Sequence, residues 1–387
     1  MNTASIAVGF EPGVAHLDPH AWDALVGDGS PFLEHAWLAA LEHSGSVGEG
    51  TGWTPTIACA RLGDTLVGAV PLYLKAHSFG EYVYDWAWAD AAAQIGTRYY
   101  PKLVATSPLS PVAGARLLTS PALDPAARAR VAAALVDATL ALAAETGVSG
   151  LHFLFPTAEE AEALRQRGMF VRTAFQYHWS NDGYASFDDY LARFESKRRR
   201  ELRRERRRLA EAGYRVEPTP GHRLTATDRD ALYRFYASTC AKHTFGRPYL
   251  SRAFFDEVCD TVPHRILMMR ALDPDGALVA GTFNVTKGDR LYGRYWGCDV
   301  EVPHLHFETC YYRTIEHAID TGVAVMEPGA GGDHKYARGF NPVVTWSAHW
   351  IAHPVLARAI ERHVARERDA VDAWVERLTA ESPLRKR

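Results

Sequence analysis

The sequence predicts an α/β protein: two tandem copies of one mixed-sheet unit flanked by helices, with a basic amphipathic helix between them. Three observations carry this. A chain of 387 residues with 47% hydrophobic content exceeds one ordinary domain and suits two sizeable cores. One order of elements occurs twice: a hairpin, an aromatic strand, a Pro-containing link, a helix closing on Thr-Gly-Val, and a short apolar strand entering a Pro loop. Thr146-Gly147-Val148 and Thr321-Gly322-Val323 mark the equivalent points. Between the copies, Lys197–Arg208 carries nine basic residues around a helical apolar stripe of Leu191, Phe194, Leu202, Leu209 and Ala212. The expected boundaries are 1–180 for the first copy, 181–215 for the basic connector, 216–353 for the second copy and 354–387 for a C-terminal amphipathic helix.

In order, Asp18-Pro19 opens short helices whose apolar side holds Phe32, Trp37, Leu38 and Leu41. Thr56–Arg61 and Thr65–Leu74 form a hairpin around Gly63-Asp64. The aromatic segment Tyr82–Trp88 takes the place of a strand, and Lys102–Ala105 is the next one. A Pro-rich link, Ser107–Gly114, leads to a helix opened by Asp124-Pro125 and stopped at Gly147. Leu151–Phe155 is a buried-type strand, followed by a polar helix to Gly168. In the second copy Asp273–Gly276 turns a hairpin of Arg265–Ala271 and Leu278–Thr286. Leu291–Trp296 is an aromatic strand with Tyr292, Arg294 and Trp296 on one face. Phe307, Tyr311, Ile315, Ala318 and Ile319 then line a helix ending at Gly322, and Val323–Met326 is a short buried strand before the loop Pro328–Gly332.

A formal charge of -3 does not itself point to nucleic acid or membrane. Mean hydropathy of -0.21 is that of a soluble chain. Five cysteines without CxxC spacing suit a reduced compartment and no zinc knuckle. No signal-peptide pattern and no run of roughly 20 apolar residues is present, so a cytoplasmic location is expected. His304, His306 and Glu308 alternate as strand-borne metal ligands would, but the helical pattern separates them, so no metal is expected.

The densest group of ionisable residues lies in Leu291–Phe340: Glu308 and Glu327 with His304, His306, His334, Lys335 and Arg338. Glu327 follows a buried strand directly, the usual mouth of an α/β sheet; equally, a strand-end Glu caps a turn or pairs with Arg338. Glu308 stands on the first turn of a helix, where a carboxylate also serves the helix dipole. Asp85, within YVYDWAW, is either an anchor for an amine or a buried Asp satisfied by backbone donors. Arg294, Tyr295 and Trp296 form a cleft wall or simply core.

Several stretches together resemble the FemAB-like family of N-acyltransferases: GEYVYDWAWADA (Gly80–Ala91), YYPKL (Tyr99–Leu103), Phe187–Arg207, LYGRYWGC (Leu291–Cys298), HFETCYY (His306–Tyr312), EPGAGGDHKYARGF (Glu327–Phe340) and WSAHWIAHP (Trp346–Pro354). The resemblance implies tandem GNAT-type folds and transfer of an acyl or aminoacyl group to an amine on a small molecule or peptide, with a cell-wall precursor as one such acceptor. Such transfer needs a base, donors for the carbonyl oxyanion and an acid for the leaving group, but no covalent intermediate. Glu327, Glu308, His334 and Tyr295 are the candidate catalytic residues. Asp85, Trp86, Arg294, His306, Tyr312, Lys335 and Arg338 are candidates for substrate binding, in a cleft formed mainly by the second copy. No tightly bound cofactor is implied. The co-substrate is acyl-CoA, with Gly114 and Arg116 as the loose phosphate-binding candidates, or aminoacyl-tRNA held by Lys197, Arg198, Arg203 and Arg207. The alternative is a non-catalytic module of the same fold that recognises a precursor or RNA.

Overall fold

The computed structural model describes residues 5–242 and 246–385. They divide into two compact units, Met1–Phe175 with Val344–Trp374, and Gln176–Val343 with Val375–Arg387. The boundaries differ from the linear ones expected. The basic connector falls inside the second unit, and the C-terminal helix Pro354–Ala380 is shared by both. The cause is a non-local pairing: Ser347–Ile351 lies antiparallel to Gly150–Leu154, so the end of the chain completes the first sheet. Nothing local in a sequence announces such a return.

In the first unit, Lys102–Ala105 and Gly150–Leu154 pair in parallel, and Leu72–Lys75 and Trp53–Pro55 extend the sheet antiparallel beyond Lys102–Ala105. A 4-stranded sheet places Ile6–Glu11, Ile57–Leu62, Thr65–Val70 and Leu118–Thr119 in that order. The parallel pair requires a crossover, supplied by helix Pro125–Thr146. Asp124 caps its start through the Ala127 N–H, Gly147 ends it in the left-handed conformation, and Val131, Leu135, Val136 and Ala143 face the core. The aromatic segment is not a strand. Trp86–Gln94 is a helix, because the alanine-rich run after Asp85 outweighs the β preference of its aromatics.

The second unit repeats the plan. Arg215–Pro220, Ile266–Leu272, Leu278–Lys287 and Arg290–Cys298 pair antiparallel in succession, and Arg290–Cys298 then pairs in parallel with Val325–Glu327. Asp273 holds the expected turn by accepting the N–H groups of Asp275 and Ala277 at 3.0 and 2.8 Å. The crossover runs from Leu305 to Asp320 and contains a π-helical turn, Glu308–Tyr312, a feature common at functional positions. The basic helix is Ser196–Glu211, anchored by Leu202 and Leu209. Leu191 belongs instead to a separate helix, Phe187–Ala192, capped by Ser186, so the stripe read from sequence spans two elements.

Helix Ala226–Ala241 packs directly on Arg290–Cys298: a Cβ on Gly297 would stand 1.9 Å from the Phe235 carbonyl oxygen. Backbone cannot yield as a side chain does. Gly297→Ala is therefore expected to destabilise the second unit by about 1–3 kcal/mol or more, read as a lower denaturation midpoint.

Candidate active site in the second unit

The parallel pair of the second unit is short. Arg290, Leu291 and Tyr292 match Val325, Met326 and Glu327, after which Arg290–Cys298 continues without that neighbour. At the point of parting the strand carries a bulge. Gly293 pairs with Asn284 and Tyr295 with Phe283, leaving Arg294 as the extra residue. A bulge re-aims the backbone N–H groups and side chains around it and breaks the strict alternation expected of Tyr292, Arg294 and Trp296. A cavity of about 90 Å³ opens there, lined by Thr282, Asn284, Gly293, Arg294, Tyr295, Trp296, His306, Cys310, Tyr311 and Pro328. Gly293 keeps it open, since a Cβ would lie 3.3 Å from Pro328 Cα.

Aromatic and imidazole rings gather beside this cavity. His306 lies 5.2 Å from Trp296, 5.5 Å from Tyr311 and 5.6 Å from His334 between ring centroids. The Tyr311 hydroxyl and His334 Nε2 share a hydrogen bond of 2.9 Å. Burial, then Lys335 and Arg338, hold His334 below the ordinary histidine range. His306 is pushed down to about 4 by burial, with His334, Arg338 and Lys335 adding to it. Both rings are thus neutral near pH 7, and His334 is solvent-exposed. A neutral, reachable imidazole bonded to a phenol is suited to moving a proton.

The remaining candidates divide by what already holds them. Lys335 donates to the Gly329 carbonyl at 2.7 Å and is pushed by burial down to about 8. Arg338 donates to the His334 carbonyl at 3.1 Å, to the Tyr312 hydroxyl at 2.8 Å and to Glu205 at 3.1 Å, with its guanidinium 3.3 Å from the centre of the Phe307 ring. Tyr312 in turn donates to Glu205. Arg338 and Tyr312 therefore brace the loop that presents His334 and do not themselves face a ligand. Neither Glu205 nor Tyr311 is among the site candidates expected from sequence: Glu205 reads there as a partner for a neighbouring arginine, and Tyr311 as one of the residues lining the crossover helix.

Neither glutamate lies in this cavity. Glu308 receives three hydrogen bonds from Arg206, at 3.1, 3.1 and 2.9 Å, and Arg206 also reaches Glu316 at 2.9 Å. Burial raises the Glu308 carboxyl against the pull of Arg206, but both of its oxygens are engaged by the guanidinium rather than turned to this cavity. Glu308 lines a separate groove of about 440 Å³ with Arg203, Arg206, Arg207, Asp188 and Glu316. Glu327 is 5% exposed and lines neither cavity; Arg290 donates to its Oε1 at 2.7 Å. Among the described residues its Oε2 has no hydrogen-bond partner and lies 3.9 Å from His178 Nε2, which is equally unpartnered. Burial raises Glu327 against the pull of Arg290, and burial with Arg290 and Lys335 pushes His178 down to about 4. Cross-strand neighbours such as His178 leave no local signal in a sequence.

Two further expectations are corrected by the first unit. Arg116 is fully buried, and its guanidinium is consumed by the carbonyls of Val112, Gly114, Ala115 and Leu154, which leaves no face for a phosphate. Gly114 belongs to that same closed turn. Asp85 is buried as well: it accepts from Lys102 and from Tyr99 at 2.7 Å, while Lys102 also donates to Glu81 at 2.8 Å and Ser78 at 2.9 Å. It is neither open to a ligand nor satisfied by backbone donors. Trp86, beside it in sequence, is exposed on the same unit. No group of metal-ligating side chains occurs among the described residues.

A hairpin, a further strand, a crossover helix and a strand parallel to that one occur twice over, a tandem GNAT-type fold. The chain belongs to the FemAB_like family, described as "Peptidogalycan biosysnthesis/recognition", whose model matches residues 13–386. Among solved structures it is similar to FemX (TM-score 0.53, 13% identity, 89% of this chain and 99% of that one). It is also similar to L-PGS from Bacillus licheniformis (TM-score 0.52, 12% identity, 92% and 98%). A third is a conserved protein of unknown function from Bacteroides thetaiotaomicron VPI-5482 (TM-score 0.51, 10% identity, 89% and 99%). At these identities the likeness is one of fold. No curated protein matches the sequence.

Proposed function

We propose that the second unit transfers an acyl or aminoacyl group from a carrier to an amine, with the crevice at the Arg294 bulge as the reaction site. The observation that carries this is the conjunction of a strand bulge, a cavity at the parting of two parallel strands and a neutral His334–Tyr311 pair beside it. In this reading backbone N–H groups at the bulge stabilise the carbonyl oxyanion, and His334 takes the proton from the attacking nitrogen. Tyr311 returns a proton to the leaving group. Glu327 and Glu308 act as positioning residues, the former through Arg290 and the latter through Arg206. A peptidoglycan precursor is the acceptor class that the family description supports. The test is a transfer assay pairing amine acceptors, including a muropeptide precursor, with acyl-CoA and aminoacyl-tRNA donors. Consumption of one donor class by wild type supports the reading.

The donor favoured here is aminoacyl-tRNA. The link after the bulged strand contains Asp299 and Glu301 and no glycine, a poor cradle for a pyrophosphate. On helix Ser196–Glu211, by contrast, Arg200, Arg204 and Arg208 recur every fourth residue, are exposed, and have no carboxylate partner among the described residues. Arg203 and Arg207 are paired with Asp188 and Glu211, and Arg198 with Glu201; Lys197 is exposed at the same end. Binding of tRNA should weaken steeply with salt, and Arg204→Ala with Arg208→Ala should reduce the log–log slope by about 2. A slope unchanged by the pair would remove this helix from the donor site. The engagement of both glutamates by arginines favours one competing reading, a binding module without catalysis; RNA binding with no donor consumed would select it.

A further inference from the structure

Helix Trp86–Gln94 of the first unit has an anomalous surface. Its inner side, Trp88 and Ala92, packs with Tyr99, Ile351, Leu356 and Ile360. A helix so placed in water normally turns a charged face outward. Here the outward residues are Trp86, Ala87, Asp90, Ala93 and Gln94. Around them Phe79 is 39%, Tyr84 67%, Trp86 41% and Ile95 45% exposed, and the Phe79 and Trp86 rings lie 5.0 Å apart. Four of the largest exposed apolar side chains thus fall within one short segment, and Arg98, at its end, is exposed without a carboxylate partner among the described residues.

This segment is rigidly held. Directly inside it, Lys102 ties Ser78, Glu81 and Asp85 together, Tyr99 donates to Asp85, and Ser78 and Tyr100 share a hydrogen bond of 2.8 Å. Burying such an ionic group is costly, yet it fixes both ends of a loop whose outer surface is apolar. The two carboxylates within the segment nearest the patch, Glu81 and Asp85, are sealed against Lys102, so residues 79–98 carry one exposed acid, Asp90, and one exposed base, Arg98; Arg172, which donates to the Tyr84 carbonyl at 2.8 Å, is neutralised by Glu367.

We infer that Phe79, Tyr84, Trp86 and Ile95 form a docking surface for a lipid bilayer, seating the first unit at the headgroup level. The four side chains expose roughly 400 Å² of mostly aromatic surface, about half of what each partner contributes to a stable protein interface. That area is small for a second copy and adequate for peripheral contact with lipid. The side chains are also the right kind: tyrosine and tryptophan, apolar bodies with a polar edge, concentrate where acyl chains meet headgroups. No helix among the described residues is long and apolar enough to cross a membrane, so the contact is superficial.

The test is co-sedimentation of the full chain with phosphatidylcholine vesicles and with vesicles containing added phosphatidylglycerol, at low and high salt. Wild type should partition onto both, with binding that survives high salt. Tyr84→Ser with Trp86→Ser should lower the partition coefficient tenfold or more while leaving the thermal midpoint unchanged. The double variant Arg204→Ala, Arg208→Ala should bind as wild type. Absence of wild-type binding overturns the inference, as does binding that needs phosphatidylglycerol and vanishes in salt. A concentration-dependent dimer abolished by the serine variant, without vesicle binding, also overturns it and assigns the surface to a second copy.

Discussion

Lys102→Met is expected to destabilise the first unit by about 3–5 kcal/mol, the largest stability effect of any single substitution considered. Lys102 is fully buried, and among the described residues its ammonium is the one cation bonded to Glu81 and Asp85, whose side chains are themselves 1% and 3% exposed. Among the described residues Glu81 Oε1 and Asp85 Oδ1 already lack hydrogen-bond partners, so removing the cation leaves both carboxyl groups, charged or driven to bind a proton, uncompensated in a low-dielectric interior. The companion variant separates charge from packing. Adding Glu81→Gln and Asp85→Asn to Lys102→Met removes the stranded charges and should recover most of the loss, because an uncharged group of similar volume is tolerated where an unpaired ion is not.

The pH dependence has a definite sign. Burial pushes Glu81 up to about 7 against the pull of Lys102. A folded-state value raised above the unfolded one contributes stability that is full below the unfolded value of about 4.5 and is lost as pH rises through 7. Wild type should lose stability over that window, and Glu81→Gln should flatten the curve there. Asp85 behaves oppositely: burial opposes its charge, but Lys102, Ser78 and Tyr99 outweigh it and hold its carboxyl below the usual range. Its share of stability is present above the unfolded value and disappears only in acid. Denaturant midpoints across pH, for wild type and Glu81→Gln, check both statements.

His334→Gln is expected to lower kcat by about 10²–10⁴ under the proposed transfer reaction, the range general bases supply. Glutamine preserves a hydrogen bond to Tyr311 but cannot take a proton near neutrality. Because burial and the adjacent Lys335 and Arg338 lower the His334 value, its imidazole is neutral throughout the physiological range. The wild-type kcat should fall only in acid, with a midpoint below the ordinary histidine value of about 6.5, and that limb should vanish in the variant. Glu308→Gln and Glu327→Gln are expected to act less strongly, since their partners are arginines rather than substrate.

What was legible in the chain was local. Gly63-Asp64 and Asp273–Gly276 turn their hairpins, Asp124-Pro125 and Gly147 bound their helix, and the twin Thr-Gly-Val points mark the ends of the two crossover helices. Each rests on a few adjacent residues with a fixed conformational preference. The candidate site was legible as a neighbourhood, since His306, His334, Arg294 and Tyr295 lie close together, but the partners of its members were not. Whether Glu308 serves as a base depends on Arg206, which is distant in sequence, and Glu327 depends on Arg290 and His178 on neighbouring strands. Arg116 read as a phosphate ligand because a Gly-containing link precedes it, whereas that same link folds its carbonyls onto the guanidinium. A bulge such as that at Arg294 has no signature in a strand pattern. Long-range partners decide protonation and access, and periodicity carries no record of them.

The most direct measurement is a structure of the protein with whichever donor the transfer assay shows to be consumed, bound as a non-reactive analogue. The expected result places the donor's acyl carbon in the crevice between Gly293–Trp296 and Pro328, beside Tyr311 and His334. A donor whose reactive end lies in the first unit, or stays in the arginine-lined groove away from Tyr311, contradicts it.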